Sequence, residues 1–313
     1  MEESGGLGLP AQVFDAAAML IFYQGIRMKV QQIVVRQPVL TELDLLPLQA
    51  LQPQLVLVFA SLGALQQGLD AATLRAALPA AQWVGCSTAG EISRDGVTDG
   101  TVIVTGIHFD HPDFKLASVP YAGSADSAAA GRRLAAALAG PGLRHILVLG
   151  QGADINGSAL VEGLVGAAGP GVTITGGLAG DAGQFTGSLV LGPDGISSQH
   201  VVAIGFYGAH LSLSHGSFGG WQPFGPARKV TRCAGNVLYE LDGERALDIY
   251  KRYLGEHAAQ LPASGLLFPW AMLGADHSAI GLIRTILGVN EGDGSLVLAG
   301  DVEQGGHLQL MQA

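Results

Sequence analysis

The hydrophobic pattern along the chain is a set of short apolar runs broken by glycine-rich turns. Leu55-Val56-Leu57-Val58-Phe59-Ala60 is apolar at every position, the pattern of a strand buried on both faces. Asp70 to Leu78 follows with helical spacing, then Gln82 to Cys86 and Thr101 to Phe109 read as strands. Ser124 to Leu138 is alanine-rich with Arg132 and Arg133 to one side, which predicts a helix capped by Ser124 or Asp126. His145 to Gly150 predicts a strand, Ser158 to Ala168 a helix and Val172 to Thr175 a strand. Strands alternating with helices predict a parallel or mixed sheet.

Beyond residue 185 the pattern changes. Phe185 to Leu191, the turn Pro193-Asp194-Gly195 and His200 to Tyr207 read as a β-hairpin. Leu211 to Ser214 and Val237 to Leu241 read as further strands, and Glu244 to Leu254 as an amphipathic helix. Asn290-Glu291-Gly292-Asp293-Gly294 predicts a hairpin turn between Ile280 to Leu287 and Leu296 to Leu298. His307 to Met311 is strand-like. The fold expected is mixed α/β in two lobes. Residues 28–194 form an N-terminal lobe with a helix-flanked sheet, and residues 195–313 an antiparallel-rich C-terminal lobe. Residues 1–27 differ from the rest. They read either as an extension or misplaced translation start, or as a helix from Ala11 to Gly25 packed on the domain. No exact internal repeat is visible.

Composition narrows the class. Hydrophobic residues are 48% and charged residues 13% of 313, so the chain has a core rather than a disordered character. Its 47 glycines follow no three-residue period, which excludes collagen. With 16 basic and 26 acidic residues the net charge is −10, which disfavours nucleic acid and anionic membrane as partners. The start is acidic and the apolar stretch Val13 to Tyr23 contains Asp15, so no signal peptide is read, and a cytoplasmic location is expected. Cys86 and Cys233 lie far apart outside any CxxC, so neither a disulfide scaffold nor a cysteine-rich zinc site is expected. None of the nine histidines falls in HExxH or a comparable zinc spacing.

Several loops carry candidate chemistry. Gly150-Gln151-Gly152-Ala153-Asp154-Ile155-Asn156-Gly157 joins a strand to a helix. It lacks GxGxxG and GK[ST] spacing and reads as a tight turn with an Asn or Ser cap. Val84-Gly85-Cys86-Ser87-Thr88-Ala89-Gly90 approaches a nucleophile elbow, with Cys86 or Ser87 as nucleophile. The turn-like Glu91 to Gly96 follows where an elbow needs a helix, so a non-enzymatic role ranks first. Thr175-Gly176-Gly177-Leu178-Ala179-Gly180-Asp181 is a second glycine-rich segment, equally consistent with ligand contact and with packing between lobes. Cys86, Ser87, Gly176 and Gly177 are therefore ligand-loop candidates. In Ser214-His215-Gly216-Ser217-Phe218-Gly219-Gly220-Trp221-Gln222-Pro223-Phe224, a histidine stands beside glycines and three aromatic rings. That combination suits a haem edge, although an aromatic-lined loop with a satisfied histidine is the commoner outcome of such residues.

In this order, Val84 to Glu91, Thr175 to Asp181, Ser214-His215-Gly216, Phe224-Gly225-Pro226, Val230-Thr231-Arg232, Gly235 to Gly243, Gly294-Ser295-Leu296 and Gly300-Asp301-Val302 resemble the FIST family of bacterial sensory domains. The likeness runs from about Met28 to the last residue. The resemblance implies a sensor of small ligands that signals in trans to a histidine kinase or a cyclic-di-GMP enzyme. One group of the family, the haem-based nitric-oxide sensors (NosP), is similar in being a stand-alone unit. From it come the expectations of non-covalent haem b, nitric oxide as ligand and His215 as the iron ligand, with Gly216, Phe218, Trp221 and Phe224 around it. The alternative is a haem-free sensor of an amino-acid-like metabolite. The family pattern also implies further C-terminal structure beyond Met311, including a cysteine-containing strand.

Overall fold

The computed structural model describes residues 28–36, 39–67, 69, 71–152, 154–216 and 220–312. The segment 1–27, with its two readings, lies outside them.

The N-terminal lobe begins with β1 (Met28–Val35), α1 (Glu42–Gln49), β2 (Leu55–Ser61), α2 (Leu62–Gln67), α3 (Ala71–Ala77) and β3 (Gln82–Thr88). A small hairpin follows, β4 (Glu91–Ser93) and β5 (Gly96–Thr98), and then β6 (Val102–Phe109). The chain continues with β7 (Phe114–Pro120), α4 (Ser127–Leu138), β8 (Leu143–Gly150), α5 (Gly157–Ala168) and β9 (Thr173–Leu178). It then forms β10 (Val190–Gly192), β11 (Gly195–Ser197) and β12 (His200–Tyr207).

These strands make two sheets, ordered β1-β6-β2-β3-β10-β11 and β7-β12-β8-β9. Period-two alternation explains how they stack. In β2, Val56, Val58 and Ala60 face α1 and α3, whereas Leu55, Leu57 and Phe59 face the other sheet. In β12, Val201 and Ala203 face α4 and α5, whereas Val202 and Ile204 meet the first sheet. The result is four layers, helices–sheet–sheet–helices, and the continuous apolar runs are the consequence of strands buried on both faces.

The two sheets also share one connectivity. In the first, β1 and β6 pair antiparallel, β6 and β2 antiparallel, and β2 and β3 parallel. In the second, β7 and β12, β12 and β8, and β8 and β9 repeat that series. Each half thus runs strand–helix–strand–helix–strand and then inserts a fourth strand, β6 or β12, between the first two. The lobe is a structural duplication that strict sequence comparison does not reveal.

The C-terminal lobe contains β13 (Gln222–Ala234), β14 (Val237–Leu241), β15 (Glu244–Arg245), α6 (Ala246–Leu254), β16 (Trp270–Leu273), β17 (Ala279–Arg284), β18 (Ile286–Asn290), β19 (Ser295–Leu298) and β20 (His307–Gln312). Its sheet order is β17-β16-β20-β13-β14-β19-β18, with β15 paired to β14. Every described pairing in it is antiparallel. Leu247, Tyr250 and Leu254 of α6 lie on one side of the helix and join the sheet's core.

Three expectations are corrected. The lobe boundary does not fall at 194/195, because β12 pairs with both β7 and β8 inside the N-terminal lobe. The hairpin is β10–β11 around Pro193-Asp194, and His200 to Tyr207 is not its second arm. Leu211 to Ser214 is coil, not strand. Short-range alternation identified many of the strands but not their partners. The Asn290–Gly294 turn does join a hairpin, β18–β19. The expected Asn cap is also present, with Asn156 Oδ1 accepting from the Ala159 N–H at 3.1 Å.

Candidate functional site

The parallel pairs β2–β3 and β8–β9 end close together, and loops leaving the carboxyl ends of such strands are favoured ligand positions. After β3 comes Ala89-Gly90-Glu91; after β9 comes Ala179-Gly180-Asp181. The duplication therefore repeats an Ala-Gly-acid turn at equivalent places. The turns meet directly: the Gly180 N–H donates to the Ser87 carbonyl at 2.9 Å. A Cβ on Gly180 would stand 2.8 Å from the Ala89 nitrogen, and one on Gly152 would stand 1.8 Å from the Ala179 oxygen. Glycine is needed at 152 and 180 because another backbone occupies the space of a side chain.

The two carboxylates brace their turns in parallel ways. Glu91 is 1% exposed, and it accepts from Thr88 Oγ1 at 2.7 Å, the Thr101 N–H at 2.9 Å and Thr101 Oγ1 at 3.0 Å. Asp181 Oδ2 accepts from the N–H groups of Thr186 and Gly187 at 2.8 and 3.3 Å. Both residues line one cavity of about 240 Å³, with Thr88, Asp99 and Gln184 also in its wall.

The loop from Ala179 to Ser188 separates this cavity from two others. One of about 120 Å³ lies between the lobes, with Phe185 on one side and Leu266 and Leu287 on the other. The second, of about 480 Å³, is lined by Tyr121, Gln151, Asp154, Phe185 and Gln199. Within this loop Ala182 and Phe185 have φ of 57° and 53°, a left-handed conformation that is unfavourable for residues with a Cβ. Left-handed backbone at two such residues marks a loop held in a specific shape by its surroundings.

The candidate residues from the sequence are distributed differently. Ser87 is buried and anchors this loop: its N–H donates to the Leu189 carbonyl at 2.8 Å, and its Oγ accepts from the Leu189 N–H at 3.0 Å. Cys86 faces the core between the sheets, and burial pushes its thiol up to about 12. A thiol so placed stays protonated and enclosed. A thiol reagent should therefore modify half-buried Cys233 in the native protein and reach Cys86 only on unfolding; one or two labels by mass spectrometry report this. Gly176 and Gly177 lie within the edge strand β9, facing away from the cavity between the acid turns. They border a groove against α5 that includes Leu160 and Val161.

Haem would require a free imidazole facing an apolar slot. His215 is exposed in the coil after β12, between exposed Ser214 and Gly216. It lies near enough to buried His145 of the N-terminal lobe to lower that group's pKa, secondary to the effect of burial. Both His145 ring nitrogens are already engaged, by Thr173 Oγ1 at 2.6 Å and Thr175 Oγ1 at 2.8 Å. Trp221 is half-buried, and Phe224 packs in the C-terminal lobe edge-on to Tyr253 with ring centroids 6.0 Å apart. Phe218 lies outside the described residues. Among the described residues no apolar enclosure forms at His215. No group of three or more potential metal-ligating side chains occurs among them either.

The sequence reading missed the acidic ends of the two turns and the role of Phe185. The signal was present: Ala89-Gly90-Glu91 and Ala179-Gly180-Asp181 each follow a strand. It becomes informative once the duplicated topology aligns them.

A duplicated α/β lobe with braced loops is joined to an antiparallel lobe. The chain belongs to the FIST family: residues 54–244 match the FIST N domain and residues 246–313 the FIST C domain. The family's domains are sensory, which places this chain among ligand-sensing signalling proteins. No curated relative matches it. Among the described residues no helix is long and apolar enough to cross a membrane.

Proposed function

We propose that this protein senses a small amine-bearing metabolite, such as an amino acid, in the cavity between its two Ala-Gly-acid turns. The observation that carries the reading is that Glu91 and Asp181, equivalent residues of the two halves, line the same cavity. Asp99 adds a third carboxylate to the wall, so the field there favours a cation. Asp181 Oδ1 has no hydrogen-bond partner among the described residues, which leaves it able to accept from an ammonium group. The adjoining loop reaches the C-terminal lobe through the cavity shared with Leu266 and Leu287. A ligand that favours one arrangement of this loop shifts the balance between two lobe arrangements. The output passes in trans to a partner signalling enzyme, a histidine kinase or a cyclic-di-GMP enzyme.

A thermal-shift panel of amino acids and their N-acetylated forms tests the site, because a ligand that binds only the folded state raises Tm. Amines are expected to raise Tm and N-acetyl counterparts to leave it unchanged. Asp181→Asn keeps an oxygen to accept from Thr186 and Gly187 but removes the charge. It should weaken the effective amine about tenfold or more while changing the unliganded Tm little. A panel without effect overturns the proposal. A haemin titration with His215→Ala alongside tests the haem and nitric-oxide reading. A saturating Soret band altered by the substitution would replace the amine reading with that one.

A further inference from the structure

A separate cavity of about 180 Å³ lies toward the amino-terminal end of β3, at the opposite end of that strand from the acid turns. The end of α3, the start of β3 and the β10–β11 turn enclose it, with Leu74, Leu116 and Leu191 giving it apolar walls. Trp83 lines it and is only 7% exposed. The buried indole Nε1–H of Trp83 has no hydrogen-bond partner among the described residues. A buried donor without a partner is destabilising, so such a group is an unusual feature of a folded interior. Arg75 stands at the same cavity, its guanidinium making one long contact of 3.5 Å to the Pro193 carbonyl.

Indole N–H and guanidinium share one property: both only donate hydrogen bonds. A ligand satisfying them must accept, and beside a fixed positive charge the favoured acceptor is an anion. The apolar walls ask for a hydrocarbon body. The volume equals that of about six liquid waters, which limits the body to a few carbons.

We infer that this cavity is a second binding site, for a short branched or linear monocarboxylate, held by Arg75 and the Trp83 indole N–H with its alkyl part against Leu74, Leu116 and Leu191. The site is independent of the amine reading, since it shares no lining residue with the cavity between the acid turns.

Isovalerate is the probe, and the indole N–H resonances of the three tryptophans in a proton–nitrogen NMR spectrum are the readout. Trp83→Phe keeps the ring's bulk and identifies the Trp83 signal by its disappearance. Isovalerate is expected to move that signal saturably with a Kd of about 1 mM, ordinary for so small a ligand. The Trp221 and Trp270 signals stay in place. Arg75 is exposed, so Arg75→Gln retains the fold, and it should weaken binding about tenfold or more, as should neutral isovaleramide as ligand. An unmoved Trp83 signal overturns the inference. So does a signal that moves equally with the amide or in the Arg75→Gln protein.

Discussion

Gly163→Ala is expected to destabilise the protein by about 2–3 kcal/mol, although alanine is the better helix former by about 1 kcal/mol. The reason is the contact between α4 and α5. A Cβ on Gly163 would stand 2.1 Å from the Ala128 carbonyl oxygen, and one on Gly131 would stand 2.3 Å from that of Leu160. Both obstacles are backbone, which no rotamer change can remove. The helices would have to separate, loosening Leu134, Leu138, Leu160 and Leu164 from the core they form over the second sheet. Gly166 lies three residues further along α5 with nothing within 4 Å of its Cβ position, so Gly166→Ala should stabilise by about 0.5–1 kcal/mol. Urea midpoints at constant m-value read both changes. Opposite signs on one helix separate close approach from propensity; equal signs would show that the helix pair relaxes freely. Gly131→Ala combined with Gly163→Ala should cost less than the sum, because the first separation relieves the second clash.

The elements of this fold were largely legible because both-face burial writes itself as continuous apolar runs, as at Leu55 to Ala60. Pairing was not. Phe114 to Pro120, with Lys115 and a terminal proline, carries a weak strand signal yet forms the edge strand β7 that opens the second half. Without it the equivalence of β1–β6 and β7–β12 stays hidden, and His200 to Tyr207 attaches to the nearest turn instead of to β7 and β8. The long β13 was missed for a different reason. Its glycine and two prolines fall where its pairing with β20 shifts register, between Pro223 and Ala227. Local patterns record which residues face a core, whereas the partner of a strand is chosen by contacts distant in sequence.

The same limit explains the site. Small residues around Cys86, Gly152 and Gly177 marked loops where something comes close, but the spacing alone could not say what. At Gly152 and Gly180 it is other backbone. The chemistry sits one or two positions away, on acids whose significance depends on the duplication. His215 drew attention through its neighbours in sequence, yet Phe224 points its packing into the other lobe, toward Tyr253.

Glu91 gives the sharpest test of that duplication. Glu91→Leu should cost about 3 kcal/mol or more, whereas Glu91→Gln should cost about 1 kcal/mol. Leucine removes the carboxylate that accepts from Thr88 and Thr101 and leaves the Thr101 N–H buried without a partner. Glutamine can keep its oxygen toward Thr101 and turn its amide nitrogen toward Thr88. The Thr88 hydroxyl then accepts from that nitrogen and donates to the Ala60 carbonyl, already 3.3 Å away. The network survives with one charge removed. Urea midpoints give the two stabilities, and the amine panel gives the consequence for binding. If Glu91 and Asp181 act together on one cation, Glu91→Gln and Asp181→Asn should each weaken the amine while leaving a folded protein. Their double variant should lose less than the sum of the two, because a ligand that has lost one contact is held less firmly against the other. Additive losses would instead mean that the two turns are equivalent in structure and separate in function.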